Sequence, residues 1–393
     1  MVLSMLTEKD ISELTIGHYV VKIILQEGNF SLTAAGHIKS NAVINHLKSK
    51  NVYRVLIDSS KTLKSNSKKS SIPPTKTSII NSQNLKEAQA IFNESKNIQK
   101  KLFHDALSGS TLDLSPVIEV TNKSIDAIFN SPDSLACMLN IREKDLYLLE
   151  HSVAVSVYIT LFARYLGLER DIIEQLSIGA FLHDIGKIKI PDEILNKPGK
   201  LTDDEFTIMK THANHSIDII TQTPGISALS LEVATLHHEK LNGCGYPFQV
   251  KGEDISRYGR MISICDIFDA LTATRVYKEG FTHSKSFAIL RELAKQDQLD
   301  RTLVDQFIKC VGIFPVGSLV QLESNKLALV KVRNDTDPLN PQVHSFYHVK
   351  QKHFLDKQEI DLSITKDCIV KGVRAEEFNL DMKQIVDMLL MEG

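Results

Sequence analysis

Apolar and polar positions follow three different rhythms along this chain. Between residues 8 and 60, the short apolar runs HYVVKIIL and YRVLID alternate with turn residues and flank one helical stretch, NAVINHLKSK. That pattern predicts a small α+β module over residues 1–63. The next stretch, KTLKSNSKKSSIPPTKTS, offers no apolar face, and Pro73 and Pro74 favour extended backbone, so residues 64–80 read as a linker. From about Asn81 apolar residues recur at three- and four-residue steps. EAQAIFNESKNIQKKLFHDAL and VIEVTNKSIDAIFN therefore predict amphipathic helices. LLEHSVAVSVYITLFARYLGL is more apolar, the mark of a buried helix, and is expected to end at Gly167. Past Phe314 the rhythm changes again. PVGSLVQLE, LALVKVRN, VHSFYHVK and the stretch around DCIVKGV predict strands, with LDMKQIVDMLL as a short terminal helix. Residues 314–393 thus form a small β-rich segment, and no internal repeat is visible.

Composition changes this picture little but excludes several classes. A net charge of -2 gives no global attraction to a nucleic-acid polymer or an anionic membrane, so anion binding has to come from local basic groups. The start, MVLSMLTEKDISEL, has no basic region followed by an apolar run, so no signal peptide is expected. No apolar stretch approaches the roughly 20 residues needed to span a bilayer. The five cysteines are scattered, odd in number and without a C-x-x-C. That suits a cytoplasmic protein and argues against both a disulfide framework and a thiolate zinc site.

The candidate chemistry lies in the helical region. His151 is near the start of a buried helix, and His183 and Asp184 close the apolar run LSIGAFLHDIGK, which Gly186 is expected to terminate. His212 lies in FTIMKTHANH, His237 and His238 end ISALSLEVATLHH, and Asp266 is inside MISICDIFDAL. Buried imidazoles and ionised carboxylates are costly unless paired, hydrogen-bonded or bound to metal. Five histidines and two aspartates in apolar helices can share that cost around cations. Asp184, beside His183, is the natural bridge between two of them. Nitrogen and oxygen donors without thiolate suit iron or manganese, with zinc less specific. Two such ions would generate a hydroxide and stabilise both the attacking and the leaving oxygens of a phosphoryl displacement.

Three motifs carry a family resemblance. HDIGK (His183 to Lys187), HHEKLNGCGYP (His237 to Pro247) and DIFDALTATRVYK (Asp266 to Lys278) resemble, in order, those of the HD-GYP phosphodiesterases, a branch of the HD metal-dependent phosphohydrolases. The likeness covers about Ile141 to Phe314. ISELTIGHYV and HLKSKNVYRVLID also resemble a domain of unknown function that often precedes this type of HD-GYP domain. The resemblance implies a multidomain chain: an α+β module, a helical connector over 81–140, an all-α HD-GYP bundle over 141–313 and the β-rich C-terminal segment. It implies hydrolysis of a cyclic dinucleotide, usually cyclic di-GMP, to pGpG and in some members GMP.

Carried over residue by residue, the metal ligands are His151, His183, Asp184, His212, His237, His238 and Asp266. Tyr147 stands where some members place a glutamate that helps hold a third metal, and Glu150 points about 100° away on a helix. Two divalent ions are therefore expected, Fe or Mn first, with Zn, Ni or Mg as alternatives. Lys187 resembles a lysine near the scissile phosphate, which with Asp184 would make up the catalytic pair. Arg275 and Lys278 resemble a phosphate-binding pair, in which arginine grips with two parallel N–H donors. Tyr246, in a loop punctuated by Gly243, Gly245 and Pro247, could stack on a guanine, bond a phosphate or only close a turn. Asn242, Val276 and His215 depart from the family pattern without removing a ligand. Two alternatives remain at this point. One is 3′,3′-cyclic GMP-AMP as substrate; the other is a binding protein that docks diguanylate cyclases through the GYP loop with little turnover.

Overall fold

A computed structural model of the protein describes residues 6–11, 14, 18–28, 35–38, 41–58, 61, 82–141, 147–274 and 279–391, with the side chains of 41, 42, 45, 147, 390 and 391 excepted. Its contacts divide the chain into two compact units, 1–74 and 75–393. The expected linker at 64–80 lies outside the described residues.

Among the described residues, the first unit is a four-stranded antiparallel sheet in the order β1-β4-β2-β3 with one helix. Its elements are β1 (Leu6–Asp10), β2 (Tyr19–Gln26), β3 (Gly36–His37), α1 (Asn41–Ser49) and β4 (Val52–Asp58). Val20, Val55 and Ile57 of the sheet meet Ile44 and Leu47 of α1 in one small core. The α1 apolar positions sit three apart, as a helix covering a sheet with one face requires.

The second unit opens with α2 (Ser82–Ser108), α3 (Ser115–Asn130) and α4 (Pro132–Met138). Next come α5 (Tyr147–Tyr165), α6 (Arg170–Leu182), a 3-10 turn at Ile185–Lys189, α7 (Asp192–Leu195) and α8 (Asp203–Thr221). The bundle closes with α9 (Ala228–Leu236), α10 (Arg257–Thr272), α11 (His283–Lys295) and α12 (Arg301–Val311). Local chemistry sets several starts. Thr202 and Glu205 form a reciprocal capping box at α8, and Ser256, Thr282 and Asp300 cap α10, α11 and α12 through their side-chain oxygens. At the centre, Phe268 of α10 stacks on Phe287 at 5.1 Å and meets Tyr158 and Phe307 edge-on. This aromatic block joins α5 and α10, which carry His151 and Asp266, to α11 and α12.

The chain then forms β5 (Leu319–Leu322), β6 (Lys326–Val332), β7 (Gln342–His348), β8 (His353–Asp361), β9 (Ile369–Val373) and α13 (Met382–Val386). The strands make an antiparallel sheet in the order β8-β7-β6-β5-β9. In β6, Leu327 and Leu329 belong to the core of the helical bundle, while Ala328 and Val330 belong to a separate core on the other face. Both faces of this central strand are buried, which explains its unbroken LALV run. β8 was not expected. Its burial is confined to one end, as befits an edge strand, so it shows no apolar alternation to read.

One helix end departs from expectation. α6 stops at Leu182, and Gly186 lies inside the following 3-10 turn rather than terminating the helix. The glycine is needed there because a Cβ would lie 2.2 Å from the His212 carbonyl oxygen and 2.3 Å from the Ser216 amide nitrogen. Its own N–H donates to Ser216 Oγ at 2.9 Å. The turn therefore lies directly on α8, next to His212. Among the described residues, no helix is long and apolar enough to cross a membrane.

Candidate metal centre

Four segments of the bundle and the helix α10 point imidazoles and carboxylates at one buried volume. His151 projects from α5, His183 and Asp184 follow the end of α6, His212 projects from α8, His237 and His238 follow α9, and Asp266 projects from α10. All are buried except His238, which is partly exposed. They fall into two sets able to hold a metal ion: His151, His183 and Asp266; and Asp184, His212, His237 and His238. Within each set the ligating atoms lie within 4.8 Å of one another. The structure thus brings together all seven residues singled out in the sequence.

The two aspartates tie the sets together. Asp184 Oδ2 is 3.2 Å from His151 Nε2 and 3.4 Å from His183 Nε2, whereas its Oδ1 is 3.3 Å from His212 Nε2 and 3.9 Å from His237 Nε2. Asp266 divides likewise, with Oδ1 3.1 Å from His151 Nε2 and Oδ2 3.4 Å from His238 Nδ1.

Each of four histidines is oriented from behind. The Nδ1 atoms of His183, His212 and His237 lie 2.6, 2.7 and 2.6 Å from the carbonyl oxygens of Ala180, Met209 and Ala234. A carbonyl can only accept, so Nδ1 carries the proton and Nε2 presents a lone pair. His151 Nδ1 donates instead to Asp269 Oδ2 at 2.8 Å. Three buried atoms facing the centre, His183 Nε2, His237 Nε2 and Asp184 Oδ1, have no hydrogen-bond partner. Orphaned buried donors and acceptors are rare and costly, and coordination to a cation satisfies all three. The residues fit a metal centre.

Electrostatics agree. Burial lowers the pKa values of His183, His237 and His238, with His237 brought down to about 3, so these imidazoles are neutral. Burial pushes Asp184 up, but Lys187 and the surrounding imidazoles outweigh it and hold the carboxyl well below the usual range. Asp266 behaves in the same way, with His151 the leading opposing influence. Neutral imidazoles and ionised carboxylates are the forms that bind metal.

The remaining candidates are placed unevenly. Lys187, in the 3-10 turn, puts Nζ 2.5 Å from Asp184 Oδ2. Tyr246 lies against His238, ring centroids 4.5 Å apart, and burial raises its pKa. Arg275, Lys278 and Val276 lie outside the described residues. Tyr147 opens α5, but its side chain lies outside them also. Glu150 accepts from Lys96 of α2 at 3.2 Å. Asn242 accepts from the Cys244 amide at 3.1 Å, fixing a turn in the loop.

Sequence reasoning missed three supporting residues. Asp269 was legible in principle, because it lies three residues after Asp266 on the same face of an apolar helix. Glu239 accepts from the amides of Phe248 and Gln249 at 2.7 and 3.1 Å, and so holds the exit of the GYP loop. Ser263 donates to the His237 carbonyl at 2.8 Å. Glu239 lies within the HHEKLNGCGYP motif, whereas Ser263 had no signal beyond being polar in an apolar helix.

Two family models match parts of the chain, one of them across the boundary between the two units. Residues 134–303 match the model of the HD domain, and residues 6–117 match a domain of unknown function, DUF3391. A cyclic di-GMP phosphodiesterase of Pseudomonas aeruginosa is 33% identical over 308 residues, covering 78% of this chain and 74% of that protein. A cyclic di-GMP phosphodiesterase of Vibrio cholerae is 36% identical over 211 residues, 52% of this chain and 42% of that protein. A 3′3′-cGAMP-specific phosphodiesterase of Vibrio cholerae is 39% identical over 133 residues, 34% of this chain and 26% of that protein. This chain thus spans three quarters of the first relative but less than half of the other two. With a third of positions identical across most of its length, and with the HDIGK, HHE and GYP motifs built around one His/Asp cluster, the chain belongs to the HD-GYP phosphodiesterase family.

Proposed function

We propose that this protein is a metal-dependent phosphodiesterase that opens cyclic di-GMP to pGpG, with GMP as the product of a second cleavage. The observation that carries this reading is the split of Asp184, whose two carboxylate oxygens face two different sets of histidines. His151, His183 and Asp266 would hold one divalent cation, His212, His237 and His238 the other, with Asp184 shared. Iron or manganese suits a donor set without thiolate. Two bound cations would supply Lewis acidity at the phosphoryl oxygens and a water acidified enough to react near neutral pH.

The chain's own groups do the rest. The backbone carbonyls and Asp269 hold the imidazoles in the tautomer that leaves Nε2 available. Lys187 Nζ, at the Asp184 carboxylate, places a positive charge where the leaving oxygen gains electrons. Arg275 and Lys278 grip the non-scissile phosphate, and Tyr246, beside His238, borders the base or phosphate.

A second substrate, 3′,3′-cyclic GMP-AMP, is favoured by the 39% identity to a phosphodiesterase named for it. Chromatography of both dinucleotides after incubation with protein loaded with Fe or Mn decides. Faster loss of cyclic di-GMP with appearance of pGpG supports the first reading, and faster loss of cyclic GMP-AMP the second. Loss of neither overturns the enzyme assignment.

A further inference from the structure

Exposure rises outward from the metal centre along one row of rings. His238 is the partly exposed ligand, and the half-buried Tyr246 lies against it with ring centroids 4.5 Å apart. One ring further out, Phe206 of α8 meets Tyr246 at 6.4 Å, the two planes nearly perpendicular at 87°. Phe206 is 46% exposed and, among the described residues, joins no hydrophobic core. The fold therefore does not require a phenyl at this position.

The ring stands on a well-anchored turn. Phe206 N–H donates to the Thr202 carbonyl at 2.8 Å, inside the capping box that starts α8, and the adjacent Glu205 pairs with Lys197 at 2.6 Å. Lys210, one turn along the helix, places its ammonium 5.3 Å from the Phe206 centroid. A single exposed phenylalanine is ordinary on a protein surface. This one is set apart by the row of rings that ends on a ligand histidine and by the cation at its side. An apolar partner would need contiguous apolar surface, whereas Ile208, the other large exposed apolar residue of α8, points about 200° away around the helix. An aromatic face beside a positive charge suits a flat base that carries phosphate.

We propose that Phe206 contacts substrate: its ring, with Tyr246 beside it, forms the step on which a purine base stacks while the attached phosphate lies at the metal centre. That the base belongs to a cyclic dinucleotide rests on the functional reading above. Cyclic di-GMP and cyclic GMP-AMP carry only purines, so the step serves either.

The chain contains no tryptophan, so Phe206→Trp puts a single indole reporter at the step. Metal-loaded Phe206→Trp protein is titrated with GMP, which has base and phosphate but no diester to cleave, and with ribose 5-phosphate, which lacks the base. GMP should quench the emission and ribose 5-phosphate should leave it unchanged. Steady-state kinetics with metal-loaded protein read the consequence. Phe206→Ala should raise KM for cyclic di-GMP about tenfold, the scale of one lost base–aromatic stack, with kcat and metal content close to wild type. Phe206→Trp should keep a KM near wild type. If Phe206→Ala fails to fold, Phe206→Leu, which keeps apolar bulk without an aromatic face, should give the same KM rise.

No quenching by GMP, or equal quenching by ribose 5-phosphate, overturns base stacking. An unchanged KM in Phe206→Ala overturns the part of the ring in substrate binding and leaves it to a protein partner. A KM rise shared equally by Phe206→Trp means that packing of the native side chain matters rather than its aromatic face, and also overturns the proposal. A wild type inert toward cyclic dinucleotides would instead defeat the functional reading, and the GMP titration would still decide the stack.

Discussion

Replacing Asp269 should weaken metal binding without touching a ligand. Its carboxylate is fully buried and accepts from His151 Nδ1 at 2.8 Å, and His151 itself is 1% exposed. The bond is charge-assisted. It fixes the proton on Nδ1 and makes Nε2 a better donor to a cation. In Asp269→Asn the amide oxygen can still accept, so only the charge-assisted part is lost. A hydrogen bond to a charged group contributes about 1.5–3 kcal/mol and a neutral one about 0.5–1.5 kcal/mol. The difference, about 1–1.5 kcal/mol, corresponds to roughly tenfold in affinity. Asp269→Ala removes the acceptor and frees the ring, which places it nearer the top of the 10–100-fold range known for such outer carboxylates. Competition of the protein with a fluorescent chelator for Mn²⁺ measures both values, and turnover at excess metal should recover in part. Wild-type metal affinity and turnover in Asp269→Ala, with the fold intact by circular dichroism, would refute the reasoning.

Lys187→Met should lower turnover about 10²–10³-fold, the usual scale for a donor aimed at developing charge. Its metal content, read by elemental analysis, should match wild type. Gly186→Ala has no room for its methyl against the α8 backbone. It should lower unfolding free energy by about 1–3 kcal/mol in urea titration and reduce metal retention, because the turn carrying Asp184 has to move. Metal bound only by the folded state stabilises it. Reloading chelator-treated protein at a hundredfold excess over Kd should therefore add about 2.7 kcal/mol and raise Tm in a calorimetric scan.

How much of the molecule is legible in its sequence depends on what each residue contacts. The ligands are readable because a histidine or an ionised aspartate inside an apolar helix is costly until it is paired or bound to a cation. β4 and β6 are readable because burial on one or both faces writes itself as apolar runs. The strand at His353–Asp361 is not, since its exposed edge demands no apolar residue. Gly186 reads as a helix stop, but its constraint comes from α8, about 30 residues away, and no local rule registers that. Glu239 acts through partners 9 and 10 residues distant, a kind of pairing that periodicity cannot display. Arg275 and Lys278 are found by motif alone and lie outside the described residues. Their roles rest on the sequence.

The central claim is that the cluster is a two-metal centre bridged by Asp184 that hydrolyses a cyclic dinucleotide. Metal per chain and pGpG formation, measured side by side for wild type and Asp184→Asn purified without oxygen, test it most directly. The account predicts two metals and turnover in wild type, and at most one metal and no turnover in the variant. Two metals retained with turnover intact in Asp184→Asn would contradict it.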